Sequence, residues 1–492
     1  MITGLYNKVV CKMACGKIFF GRMYCMRYEN NKAVDLKIAY IGGGSRGWAW
    51  GLMSDLAQTE DMSGDVFLYD IDFEAAYHNE IIGNKIKDLD ECKSVWNYKA
   101  VKTIGEALTG ADFVIISILP GTFDEMESDV HTPEKYGIYQ SVGDTSGPGG
   151  IIRALRTIPM MQEIALAIKE FSPDAWVINY TNPMTVSIKT LYSIFPEIKA
   201  FGCCHEVFGT QKLLTKALKY ICGIDDVARD EIKVNVVGVN HFTWFTKAEY
   251  KNINLFDVYK KFADKYSETG FEEKSDENWM NNAFAYSERV KLDLFNRYGY
   301  IAAAGDRHLA EFCPGHWYLE SPKQVSAWKF ALTPVSWRKQ DLQARLEKSA
   351  KLMSGEQKFE INETGEEGVN QMRALLGLCD LVTNVNIPNQ GQIPNLPLGA
   401  VVETNAVFRS DSLNPVFSGE IPKEIYPLIA RIAGEQELIA QAGLNRDLDM
   451  AFRAFVNDPL VTINIEDSKK LFREMLNNTK NYLTMYDLHL ND

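Results

Sequence analysis

The run Lys37–Leu56, KIAYIGGGSRGWAWGLMSDL, decides the fold. Lys37–Ile41 is a short apolar stretch that stops at three glycines, and a helical pattern opens at Trp48. Gly42, Gly44 and Gly47 fit G-x-G-x-x-G, which by itself is a weak pattern. Asp65–Tyr69, DVFLY, reads as the next strand, and Asp70 closes it 23 residues after Gly47. Strand, glycine turn, helix and a second strand ending in an acid form the context of a dinucleotide site. Gly42, Gly43, Gly44 and Ser45 make the turn. The glycines let the backbone approach a pyrophosphate, and the helix N-terminus offers it free N–H groups. Asp70 can accept hydrogen bonds from ribose hydroxyls and would repel a 2′-phosphate, which favours NAD over NADP. The plainer alternative is a tight strand-to-helix turn with an incidental acid.

Outward from this run the same rhythm continues. Ala111–Leu119, Ala175–Asn179, Lys199–Cys203 and Val234–Val239 read as further strands, with helical stretches such as RALRTIPMMQEIALAIKEF between them. Their continuous apolar character suits a parallel sheet covered on both faces. After about residue 245 come long charged helical segments, then the Pro/Asn/Gly-rich NVNIPNQGQIPNLPLGAVVETNAVF, then more helices. The expected fold is α/β: an N-terminal Rossmann-like, doubly wound parallel sheet over residues 36–235, and a C-terminal α+β portion over 236–492. That second portion is expected to carry the substrate and oligomer contacts. Residues 1–35, basic and bearing three of the nine cysteines, read as an extension outside the domain, with Met23 and Met26 as alternative starts. No internal repeat or low-complexity tract is visible.

The chain has 492 residues and a net charge of −13, which argues against nucleic acid or an anionic membrane as its main partner. No apolar run approaches the roughly 20 residues of a spanning helix. The cysteines show no ladder of spacings and there is no signal-peptide core, so reduced thiols in the cytoplasm are expected.

Open α/β sheets place chemistry just past strand ends. One strand runs into Cys203-Cys204-His205-Glu206 and the next into Asn240-His241-Phe242. Cys204 and His241 are either two ligands of one divalent metal or a buried thiol and a core histidine. Ligand softness would favour zinc or iron over manganese at a Cys/His pair. Asn179-Tyr180-Thr181-Asn182-Pro183 offers either amide ligands for a sugar or nicotinamide, or turn and cap chemistry. Gly143–Gly150, GDTSGPGG, precedes a helix bearing Arg153 and Arg156. It is a second anion site, a mobile flap or a structural loop.

Taken together these runs resemble the NAD- and metal-dependent glycoside hydrolases of family 4. The resemblance spans about residues 36–480, through KIAYIGGGSRGW, DTSGPGGIIRALRTIP, NYTNPM, GCCHEV, GVNHFTWF, YGYIAAAGDRHLAEFCP and NIPNQGQIPNLP. It implies NAD and manganese as cofactors and hydrolysis through a transient oxidation, an exception to the two-carboxylate scheme. NAD+ takes hydride from C3 of the sugar, a base removes the acidified C2 proton, the C1–O bond breaks by elimination, water adds, and the hydride returns. Cys204 and His241 then match the metal ligands. His205 matches the acid, and Asn182 the substrate asparagine. Asp129 matches the carboxylate that tunes the base. Asp306 is the expected base, with Tyr298 and Tyr300 as alternatives. Cys204-His205-Glu206-Val207 resembles the branch acting on α-galacturonides, ahead of the α-galactosidases and α-glucosidases. A uronate carboxylate calls for a guanidinium, Arg307 or Arg153. The resemblance also implies a homo-oligomer, dimer or tetramer. An ordinary NAD-dependent dehydrogenase and a non-catalytic NAD-binding protein are the rival readings.

Overall fold

Five of the six strands read from the sequence lie side by side in one parallel array. The computed structural model describes residues 26–273, 280, 282 and 284–488. A hairpin, β1 (Arg27–Glu29) and β2 (Lys32–Ile41), leads through the glycine turn into α1 (Trp48–Ala57). Then come β3 (Met62–Tyr69), α2 (Phe73–Ile86), β4 (Trp96–Val101), α3 (Ile104–Leu108) and β5 (Phe113–Ile116). They are followed by α4 (Phe123–His131), α5 (Gly147–Phe171), β6 (Trp176–Asn179), α6 (Met184–Ile194) and β7 (Lys199–Gly202). The parallel order is β4-β3-β2-β5-β6-β7. β2 pairs with β3 on one side and β5 on the other, so the winding reverses there. Such a reversal opens a crevice at the carboxyl ends of the strands, where ligands of this architecture bind.

Two features depart from the expected organisation. The sheet begins at residue 27, so the expected extension over 1–35 does not hold for Arg27–Asp35, and residues 1–25 lie outside the described residues. Asn30 and Asn31 both have left-handed backbones, φ 51° and 62°, the conformation a two-residue hairpin turn needs. The expected boundary at 235/236 falls inside β8 (Lys233–Val239). Much later, β12 (Leu381–Pro388), β13 (Val401–Arg409) and β14 (Ser412–Pro415) return to the first sheet, with β12 antiparallel against β7. They cover an edge that would otherwise expose unpaired N–H and C=O groups.

β8 belongs to a smaller antiparallel sheet with β9 (Phe242–Tyr250), β10 (Ile253–Asn254) and β11 (Ile301–Ala302). Around it pack α7 (Glu206–Ala217), α8 (Leu255–Tyr266), α9 (Arg289–Tyr298) and α10 (Asp306–Glu311). One large core joins Phe242, Trp244 and Phe312 of this region to Ile151, Leu155 and Ile158 of α5. α5 thus belongs to both halves and fixes the first sheet against the second. None of the described helices is long and apolar enough to cross a membrane.

Candidate active site

At the reversal point the chain makes a turn that only glycine fits. Gly42 has φ +91°, and a Cβ there would stand 2.0 Å from the carbonyl oxygen of Ser117. The glycine turn therefore rests directly on the end of β5. Asp70 holds the turn from its other side: its carboxylate accepts the Gly44 N–H at 2.9 Å and the Asp72 N–H at 2.9 Å. Burial foremost pushes this carboxyl above its usual value. Ser45 Oγ accepts the Trp48 N–H at 3.2 Å and so closes the first turn of α1. Gly42, Gly44, Ser45 and Asp70 all line one cleft of about 1590 Å³, larger than the ~300–1000 Å³ of an ordinary small-molecule pocket. Gly43 packs behind them, against Leu68.

The far end of the cleft is assembled from distant segments. Asp144 comes from the glycine-rich loop before α5, His241 from the β8–β9 turn, and His308 from α10. Their ligating atoms lie within 4.8 Å of one another. The two imidazole rings stand 3.9 Å apart between centroids. Thr145 bridges the group: its hydroxyl donates to Asp144 at 2.7 Å and lies 3.2 Å from His241 Nδ1. Gly150 lets this loop fold back on α5, since a Cβ there would meet the Thr145 carbonyl carbon at 2.4 Å. Burial foremost, then the neighbouring His308, pushes His241 down to about 3, so its imidazole is neutral, as metal ligation requires. Burial pulls Asp144 up, but Arg153, His308 and His241 outweigh it and hold its carboxyl well below the usual range. His308 Nδ1 and Asn182 Oδ1 are both buried without a hydrogen-bond partner among the described residues. Two imidazoles and a carboxylate with an unsatisfied nitrogen fit a divalent cation, and the hard oxygen donor makes manganese a better match than a Cys/His pair would.

Each residue expected from the sequence has a definite place. His241 is in the trio, but Cys204 is not: its thiol is buried beside Asn240, with Glu403 and Glu206 as electrostatic neighbours. Burial foremost raises that thiol well above its ordinary value. His205 lies in the cleft, half exposed, with Nδ1 2.7 Å from Glu366. That hydrogen bond, against the opposing effect of burial, raises His205 to about 9. Asn182 also lines the cleft, donating to Asp144 at 3.4 Å and accepting from Arg153 Nε at 3.1 Å through its carbonyl.

Asp129 is fully buried on α4, and both its oxygens are taken by the Arg156 guanidinium. Asp306 does not line the cleft, although Gly305 and Arg307 on either side do. Its carboxylate accepts the N–H groups of Val290 and Lys291, each at 3.1 Å, and so caps the start of α9. Among the expected alternatives, Tyr298 packs against Trp244, and neither it nor Tyr300 lines the cleft. Arg307 does line it, with Nε and Nη2 bonded to Ala331 O, Ser141 O and Thr333 Oγ1.

Four further residues of this end were not joined by anything in the sequence. Asp144 stood inside a glycine-rich run, Glu206 served only to mark the branch, and His308 stood beside Asp306 and Arg307 in a group that could equally be a surface salt-bridge cluster. Glu206 bridges α7 and α10, accepting the Gly305 N–H at 2.7 Å and facing His308 Nε2 at 3.7 Å. Burial pulls it up, but the three histidines and this N–H hold it down at about 2. Tyr286 lines the cleft with its ring against Gly305, where a Cβ would come within 2.9 Å of it. Burial foremost keeps its phenol well above the usual value.

Residues 37–220 match the family 4 glycosyl hydrolase model, and residues 236–461 match the family 4 glycosyl hydrolase C-terminal domain. The chain belongs to the family 4 glycosyl hydrolases. It is 66% identical to a protein named alpha-galacturonidase from Thermoanaerobacterium saccharolyticum, over 93% of this chain and 98% of that one. The crystal structure of lplD from Bacillus subtilis is 54% identical and superposes with a TM-score of 0.86, covering 90% of this chain and 100% of that one. The 6-phospho-beta glucosidase of Thermotoga maritima, solved with manganese, NAD+ and glucose-6-phosphate, has a TM-score of 0.72. At 21% identity, over 91% of this chain and 99% of that one, it shows the shared fold.

Proposed function

We propose that the chain hydrolyses α-linked galacturonides with the help of a bound NAD and a divalent cation, manganese first. One observation carries the reading: the glycine turn and the side chains of Asp144 and His308, with the buried His241 beside them, open onto the same continuous cleft. The 66% identity to a protein named alpha-galacturonidase supports the sugar.

In this reading Gly42, Gly43, Gly44 and Ser45 bind the pyrophosphate and Asp70 the adenine-side ribose. His241, Asp144 and His308 would hold the cation, and the family resemblance adds Cys204 as a further ligand. Bound there, NAD would supply reversible hydride acceptance at the sugar's C3, and the cation Lewis acidity beside it. The chain's own side chains handle the protons. His205, cationic up to about pH 9, donates one to the departing glycosidic oxygen. Asn182 holds a sugar hydroxyl through its unpartnered Oδ1. Asp306, expected as the base, is occupied by the backbone of α9, and Tyr286, the tyrosine against Gly305, takes that place: burial keeps its phenol protonated, a nearby cation's charge would offset that burial, and only as the phenolate would it accept the C2 proton. Asp129 acts at one remove, fixing Arg156 under the cleft.

Incubation with NAD+, Mn2+ and a reductant tests the reading against a panel of nitrophenyl α-galacturonide, α-galactoside, α-glucoside and a 6-phosphoglucoside. The expected result is cleavage of the galacturonide, dependent on both cofactors, with no net NADH. Activity confined to the 6-phosphoglucoside would overturn the sugar assignment. Steady NADH accumulation would replace the hydrolase with a dehydrogenase.

A further inference from the structure

We infer that Arg338 is the group that recognises the substrate's C6 carboxylate, and so sets the enzyme for a hexuronide rather than a neutral hexoside. The inference rests on the galacturonidase reading above.

Of the described arginines that line the cleft, Arg46 and Arg345 stand by the glycine turn and Arg156 is taken by Asp129, which leaves three guanidinium groups at the catalytic end: Arg153, Arg307 and Arg338. Two of them are already engaged. Arg153 donates from Nε to the Asn182 carbonyl, and Asp144 and Asp129 answer its charge. Arg307 ties the Ser141 and Ala331 carbonyls to the Thr333 hydroxyl, and Glu311 is its chief opposing charge. Arg338 has no hydrogen bond or ion pair among the described residues. The acid three residues on, Asp341, is taken by Arg345 at 2.6 Å.

Arg338 stands in the first turn of the helix Val335–Ser354. It is partly buried and propped on the Phe284 ring, 5.5 Å from the centroid, and Arg307 lies 5.1 Å from the same centroid. Phe284 itself leans edge-on against Trp337 at 5.0 Å. A guanidinium held on an aromatic face keeps its N–H edge open for an anion. A partly desolvated cation without a partner is costly, and a carboxylate bound bidentately removes that cost. The dinucleotide is the other anion in this cleft. Its pyrophosphate belongs to the glycine turn, where Arg345 bonds the Arg46 carbonyl at 3.0 Å. Arg338 has Asp144, Asp341 and Arg345 as electrostatic neighbours and is itself felt by Arg153 and Arg307; Asp341 and Arg345 are paired with each other, so the groups that face it across the cleft, Asp144, Arg153 and Arg307, are those of the catalytic end.

The test compares wild type with Arg338→Gln and Arg338→Lys, all saturated with NAD+ and Mn2+. Calorimetry would read the affinity for galacturonate and for NAD+, and kinetics the KM for nitrophenyl α-galacturonide. For Arg338→Gln, galacturonate affinity should fall roughly 10- to 100-fold, with KM rising in step and kcat, NAD+ affinity and Tm nearly unchanged. Arg338→Lys should recover part of the loss. Unchanged galacturonate affinity in Arg338→Gln, with an active wild type, would overturn this inference alone. A loss of NAD+ affinity instead would reassign Arg338 to the dinucleotide. A wild type inert on the galacturonide would overturn the function reading, and this inference with it.

Discussion

The two ends of the cleft are built on opposite principles. The end we assign to the nucleotide is local: one run, Gly42–Ser45, supplies the turn, and Asp70 sits just past the end of the neighbouring strand β3. Its working groups are mostly backbone N–H, so any sequence that permits the backbone path can form it. The catalytic end draws Asp144, Asn182, His205, His241 and His308 from five separated segments. Its working groups are side chains, and their meeting depends on α5 and α10 being packed in register against both sheets. The lesson is that one cleft can hold a site that tolerates substitution around it and a site that does not.

The sharpest way to break this comparison is to remove one side chain at the catalytic end. His308→Ala should lower kcat by about 1000-fold, near 4 kcal/mol, and weaken Mn2+ binding, with NAD+ affinity held within about twofold. A parallel loss of NAD+ affinity would show that the two ends do not act separately. Next in size is the reciprocal change. Gly42→Ala places a Cβ against the Ser117 carbonyl at a φ of +91°. The strain of roughly 1–3 kcal/mol should weaken NAD+ about 10- to 100-fold and leave Mn2+ binding intact. Equal loss of both ligands would contradict the local character of the turn.

The smallest effect concerns pH. His205 is raised to about 9 by Glu366, so its cation is present below that pH and is lost as pH rises through it. Glu366→Gln should move the alkaline limb of kcat down toward the ordinary histidine value of about 6.5. At pH 7 that costs only a few-fold in rate. A limb that stays in place would remove His205 from the role of acid.

How much was legible varied with the type of interaction. The six strands were readable because burial on both faces leaves continuous apolar runs, although Val234–Val239 joined the second sheet. β4, WNYKAV, escaped because it alternates polar and apolar residues near a sheet edge. The hairpin turn at Asn30-Asn31 has a signal in its two asparagines, but the basic, cysteine-bearing residues before it read as an extension. Asp306 illustrates the limit at the site: the motif located the segment, but only packing showed that the carboxylate turns toward α9 while His308, two residues on, faces the cleft. Glu366 lies in a charged stretch with nothing to separate it from its neighbours.

The sequence by itself determined the strand–glycine–helix turn, the family and the segments that carry the chemistry, because these depend on local backbone freedom and on short ordered motifs. Tertiary structure decided that His241 meets Asp144 and His308, that the chain returns at β12 to close the first sheet, and that Arg338 lines the cleft with no hydrogen bond or ion pair among the described residues. Those outcomes depend on which side chains are brought within a few ångströms of one another, and that distance is set by the packing of segments far apart in the chain.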